Sequence, residues 1–244
     1  MSDVNKKVVL IMGKPTTGKS TAVKSMAGDK GVVYLNTDLK EVPFKVPKKT
    51  GFKQLNISDA EDIIQAIEEI EEMPEVHTVI LDTITFLMDQ YEMQYVVTAT
   101  DTRAAWGQYG KFYKSVMHNI KAGSKNYIIL AHAKDVHNEK EMSIETKVPI
   151  KGAVGATGIE ADFTTILATK VVEIDDLEGY ENDLLNISAR EKALGIKYVF
   201  QTYITKDTIH EKMRSHMDLW DDSELYIDND ISNVVNRIEE YYKG

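Results

Sequence analysis

The 244-residue chain contains no cysteine, which excludes disulfides, thiolate zinc sites and cysteine nucleophiles. Its six histidines are scattered without the spacing of metal ligands. Long apolar runs are also absent. No stretch is long enough to cross a bilayer, and residues 1–7 lead straight into a strand-like segment that leaves no place for a signal peptide. A soluble, cytoplasmic protein with no membrane partner is expected. No Pro/Gly/Ser-rich linker, internal repeat or low-complexity tract divides the chain. One domain over 1–244 is therefore expected, with a core over about 6–219 and an acidic C-terminal segment, 220–244, that carries a helix. Positive charge is in deficit, 29 Lys and Arg against 39 Asp and Glu, for a net charge of −10. That balance argues against indiscriminate binding of nucleic acid over the whole surface but leaves open where the cations cluster.

What the sequence does contain is Gly13-Lys14-Pro15-Thr16-Thr17-Gly18-Lys19-Ser20-Thr21, which fits the phosphate-loop pattern G-x-x-x-x-G-K-[ST] without departure. Before it, residues 7–12 form an apolar run rich in β-branched residues that reads as a buried parallel strand. After it, residues 21–27 can start a helix. Strand, glycine-bounded loop and helix in that order aim unpaired backbone N–H groups at a polyphosphate. Gly13 and Gly18 permit turns that a Cβ would obstruct, and Lys19 neutralises the β- and γ-phosphates. Ser20 offers its hydroxyl to Mg²⁺, so ATP with Mg²⁺ is the expected cofactor pair.

Further along, residues 31–36 read as a second strand that delivers Asp38 at its carboxyl end, where open parallel sheets hold ligands. Residues 40–53 form a basic loop with two prolines, five lysines, Phe44 and Phe52. Ser58-Asp59-Ala60-Glu61 has the form of a capping box ahead of a helix with Ala60, Ile63, Ile64, Ile67 and Ile70 at helical spacing, ended by Pro74. Residues 76–82 make an apolar strand closing on Asp82, in the manner of a Walker B strand. The stretch from Arg103 to Lys125 carries Lys111, Lys114 and Lys121 opposite an apolar stripe that includes Tyr109, Phe112 and Val116. Residues 126–131 form the next strand and deliver His132. Residues 133–160 lose clear periodicity and read as a functional or mobile loop. Strands are expected over 162–174 and 197–205. Lys212 and Arg214 follow, on one side of the chain if that segment is extended. The late carboxylates Asp218, Asp221, Asp222, Glu224, Asp228 and Asp230 read as a solvated face, before an amphipathic helix through Val234, Val235, Ile238 and Tyr241.

Strands alternating with helices give an α/β fold, a P-loop NTPase with a mostly parallel sheet and helices on both faces. No glutamate follows Asp82, so the usual adjacent general base is missing. The phosphate loop, residues 34–38, 79–83 and 128–132, and Lys212-Met213-Arg214 together resemble the RecA-like ATPase core, over roughly 6–219. The likeness is greatest to phage-encoded minimal RecA-core proteins of single-strand annealing and recombination. That resemblance implies that Asp38 activates water, although glutamate is commoner there, with Glu41 three residues away as the competing assignment. It also implies that Asp82 serves the Mg²⁺ shell and His132 senses the γ-phosphate from a strand beside the phosphate-loop strand. Lys212 and Arg214 would reach a neighbouring subunit's nucleotide, so that hydrolysis needs a homo-oligomer, ring or filament. The function so implied is an ATPase that binds single-stranded DNA along the basic stretches and the 133–160 segment, with Phe44 and Phe52 available for base stacking. Two other readings stay open: a small-molecule kinase using Asp38 as base, and a nucleotide-gated binding module with little turnover.

Overall fold

Six consecutive buried residues, Val8–Gly13, form strand β1 inside an eight-stranded sheet in the computed structural model, which describes residues 5–46, 53–139 and 142–243. Five further strands run parallel with it: β2 (Val32–Asn36), β3 (Lys53–Asn56), β4 (Thr78–Asp82), β5 (Asn126–His132) and β8 (Thr165–Glu173). Two antiparallel strands, β9 (Ile196–Gln201) and β10 (Tyr226–Asp228), complete the order β10-β9-β8-β1-β5-β4-β2-β3. β5 lies between β1 and β4, beside the phosphate-loop strand as the RecA-like resemblance implies. Its register sets Gly13 against His132 and Leu130 against Asp82, so these carboxyl ends open on one edge of the sheet.

The strands are apolar on both faces because helices cover both. Leu10, Met12, Leu35, Leu81 and Ile129 pack under α1 (Asp62–Glu71), α2 (Ile84–Tyr91) and α3 (Thr102–Ala122). Val9, Ile11, Tyr34, Ile80 and Leu130 point the other way, onto Ala22, Val23 and Met26 of a 3₁₀ helix (Ser20–Gly28) and onto α6 (Ile231–Lys243). The stripe on α3 is buried through Tyr109, Phe112, Tyr113, Val116, Met117 and Ile120. No helix among the described residues is long and apolar enough to cross a membrane.

Several expectations need correction. The basic loop ends in a parallel edge strand, β3, whose four residues are all exposed and so carry no apolar alternation. The capping box before α1 does not form. Asp59 instead accepts from Glu61 N at 3.0 Å and from the Tyr95 hydroxyl at 2.6 Å, and the helix starts at Asp62. The described residues of 133–160 carry regular structure: β6 (Lys134–Asn138) and β7 (Ser143–Lys147) pair as an antiparallel hairpin, followed by α4 (Gly152–Thr157). The late carboxylates are a solvated face only in part: Asp218, Asp221 and Asp222 are exposed. Glu224 is buried against Arg237, and Asp228 lies 2.8 Å from the buried Lys197. Asp221 and Glu224 form a capping box of their own.

Candidate active site

The phosphate loop leaves β1 at Gly13 and bends through Thr16, with φ of 67°, and Gly18, with φ of 96°. A Cβ on Gly13 would stand 2.6 Å from Thr17 Oγ1 and still closer to Thr169 Oγ1. A Cβ on Gly18 would meet Asn229 Nδ2 at 2.6 Å in a conformation that side chains rarely adopt. Both glycines are therefore fixed by close approach. Lys19 is only 6% exposed, and its ammonium donates to Gly13 O at 2.9 Å and Lys14 O at 2.8 Å. Burial pulls its pKa down to about 8, while the charge of Asp82 opposes that shift.

Ser20 Oγ donates to Asp82 Oδ2 at 2.8 Å, and the Tyr34 hydroxyl donates to the same oxygen. Burial, with the Asp82 charge beside it, pushes the Tyr34 phenol far up, so it stays a neutral donor. A hydroxyl next to a single carboxylate suits Mg²⁺, which prefers one or two protein oxygens plus phosphates and water. Among the described residues there is no group of three His, Asp or Glu that would form a dedicated metal cage. Ser20 and Asp82 are thus the residues that would hold the ion.

Hydroxyls fasten the neighbouring strand ends. Thr37 Oγ1 donates to Thr83 O at 2.8 Å and accepts from Thr83 N at 2.9 Å. Thr83 Oγ1 caps α2 by accepting from Phe86 N, and lies 2.9 Å from Thr85 Oγ1, which accepts from His132 N at 3.1 Å. The Asp82–Thr83 peptide bond is cis. These bonds bring Asp38 and His132 to the wall of a cavity of about 290 Å³ that Thr16, Gly18, Lys19, Ser20 and Asp82 also line. Asp38 pairs with Lys40 at 3.0 Å and keeps about a quarter of its side chain exposed, whereas Glu41 is exposed and does not line this cavity. Burial, then the Lys19 charge, lowers the pKa of His132, which leaves it neutral near pH 7.

Lys212 and Arg214 stand elsewhere. They line a separate cleft of about 470 Å³ with Glu145, Gly155 and Glu160. The Arg214 guanidinium donates to Phe163 O at 2.8 Å and to Glu160 O, and Lys212 lies 3.6 Å from Glu145. The segment is not a strand and touches its neighbours through isolated bridges, Thr146 to Glu211 and Ile166 to Arg214. Phe44 packs partly against the core, and Phe52 lies outside the described residues. Lys121 is tied to Asp162, while Lys111 and Lys114 line a shallow groove between α1 and α3.

Four participants escaped sequence reasoning. Tyr34 looked like one more apolar strand residue. Thr169 and Asn229, which brace Thr17 and Gly18, lie far along the chain in segments without a motif; Thr17 and Thr169 hydroxyls are 2.5 Å apart, and Asn229 Nδ2 donates to Gly18 O at 2.9 Å. Asp135, at the root of the hairpin, pairs with Lys14 at 2.6 Å and accepts from Thr146 Oγ1 at 2.8 Å, and nothing in the mixed charges of that region marked it.

No curated protein matches the chain. A family model described as an AAA domain matches residues 5–214, which takes in the phosphate loop, Asp38, Asp82, His132, Lys212 and Arg214. With strand, loop and Mg²⁺-suited pair in place beneath that match, the chain belongs to the AAA domain family and is a nucleotide-binding P-loop ATPase of that type.

Proposed function

We propose that this ATPase is of the RecA-like kind, hydrolyses ATP with Mg²⁺ as a homo-oligomer, and binds single-stranded DNA in phage-type recombination or annealing, in the cytoplasm and with the whole chain working as one domain. One observation carries the catalytic part: Asp38 and His132 line the same cavity as Lys19, Ser20 and Asp82, though these residues come from the ends of four different strands. Asp38 is then the base that takes a proton from the attacking water, and neutral His132 is the group that meets the γ-phosphate. ATP arriving against Lys19 places phosphate oxygens beside a cation that burial has already made a poor host for its own charge. Bound Mg²⁺ would add charge neutralisation on the β- and γ-oxygens.

Among the described residues no arginine lines this cavity, and the reading takes the guanidinium for the transition-state charge from elsewhere. Lys212 and Arg214 supply it from a second copy in this reading. The DNA part rests on the hairpin β6–β7, which starts two residues after His132, and on its exposed apolar side chains, Met142 at 87% and Ile144 at 60%. The test is phosphate release with and without single-stranded DNA over a range of protein concentrations. Turnover per chain is expected to rise with both, free phosphate rather than a phosphorylated acceptor is the expected product, and Asp38→Asn should lower turnover by about 10²–10⁴ while ATP still binds. If Glu41→Gln has that effect and Asp38→Asn does not, the base is misassigned.

A further inference from the structure

Lys40 is one of the five lysines of the basic loop, yet its side chain turns back toward the phosphate-loop cavity. Its ammonium lies 3.0 Å from Asp38 Oδ1 and 5.4 Å from the centre of the Phe86 ring. Phe86 in turn meets His132 edge to face, with ring centroids 5.0 Å apart. Lys40 does not itself line the cavity, but it reaches both side chains that stand at the γ-phosphate end in the reading above, Asp38 directly and His132 through one ring.

A buried asparagine builds the turn that delivers it. Asn36, the last residue of β2, accepts from Leu39 N at 3.0 Å, and its Nδ2 donates to Lys40 O at 2.8 Å and to Asn56 Oδ1 at 3.1 Å. Leu39 is held at a φ of 56°, a left-handed conformation that leucine rarely adopts. These bonds fix the backbone on either side of Leu39 and with it the root of the Lys40 side chain. The ion pair itself adds little to stability, because 71% of the Lys40 side chain and 26% of that of Asp38 remain exposed. Its effect is one of geometry. Asp38 reaches the cavity on a short side chain from a turn, and a carboxylate that takes a proton from water needs one orientation rather than several. The face of Phe86 gives the ammonium a second place to rest, so the clamp has two fixed points.

We propose that Lys40 is a positioning residue for hydrolysis: braced on Phe86, it holds Asp38 through Oδ1 so that Oδ2 faces the attacking water. The proposal rests on Asp38 being the base and adds the group that orients it. It also takes Lys40 out of the positive track ascribed above to the basic stretches.

Single-turnover phosphate release by the full chain, with protein in excess over ATP and with Mg²⁺, tests this in the presence and absence of single-stranded DNA, beside calorimetric titration with ATP. Lys40→Met and Lys40→Ala are each expected to slow release by about 10–100-fold while ATP affinity stays within about twofold of wild type. In an Asp38→Asn chain, which has no base left to orient, adding Lys40→Met should change the remaining rate by less than about twofold. A merely structural lysine would add its cost in both backgrounds. Release within about twofold of wild type in both single variants, a parallel fall in ATP affinity, an undiminished Lys40→Met effect in the Asp38→Asn chain, or a loss confined to reactions containing single-stranded DNA would each overturn the positioning role. A wild-type rate in Asp38→Asn would instead overturn the base assignment on which it rests.

Discussion

The ammonium of Lys19 sits between two loop carbonyls in a site where burial disfavours its charge. Neither carbonyl depends on it alone, since Gly13 O also accepts from Ala133 N at 2.8 Å and Lys14 O from Thr17 Oγ1 at 2.8 Å. The lysine thus opposes folding on behalf of binding. Its pKa of about 8 in the folded chain lies below the ordinary lysine value, so the unfolded chain holds more protons between about pH 8 and 10.5, and stability rises across that window. Below about pH 8 the penalty is present in full, on the order of 3 kcal/mol. Lys19→Met, which keeps the stem and drops the charge, should therefore raise urea stability at pH 7, gain little at pH 10.5, and lose tight ATP binding. A variant less stable than wild type at pH 7 would refute this account. The same residue shows what a sequence can disclose. Lys19 and Ser20 were legible because the chemistry of a phosphate fixes residue type and spacing within one short segment, and Asp82 because it closes an apolar strand. Tyr34, Thr169 and Asn229 were not, because they meet the site only through tertiary contact, and a tyrosine in an apolar strand looks like any other core side chain.

At the scale of elements, α6 carries more than the label of an acidic tail suggests. Ile231, Val234, Val235 and Ile238 share one cluster with Ala22, Val23 and Met26, so α6 is the cover of the helix that follows the phosphate loop. Ser25 on that helix also donates to Asp230 at 2.5 Å. Ile238→Ala is expected to cost about 2–5 kcal/mol, read as a lower urea midpoint with unchanged slope. A cost under about 1 kcal/mol would show that the helix frays without consequence. Strands β1, β4 and β5 and helix α3 could be read from the chain because each buries a long apolar face of regular period. β3 could not, being exposed at all four positions, nor could the hairpin, whose ten strand residues include none that is buried.

For the whole molecule, the separation of Lys212 and Arg214 from the phosphate-loop cavity makes assembly the decisive question. If these residues complete a neighbour's site, Arg214→Ala and Asp38→Asn should each be inactive, and a mixture of the two should regain phosphate release at interfaces that pair an intact finger with an intact carboxylate. Loss of such an arginine costs about 10³ or more in comparable sites, so even partial rescue stands clear of background. Because Arg214 also holds the carbonyls of Glu160 and Phe163, ATP binding and co-assembly must be shown first, and Lys212→Ala, half exposed, provides a gentler partner for the same mixture. No rescue after proven co-assembly would place the pair in cis or outside catalysis. The ion pair between Lys14 and Asp135 bears on what assembly and DNA could do to the site, since it joins the phosphate loop to the root of the hairpin. Equilibrium coupling has no preferred direction. Any ligand that draws the hairpin away and thereby changes nucleotide affinity must find its own affinity changed by nucleotide by the same factor, so the loop that holds phosphate is equally a sensor of whatever the hairpin touches.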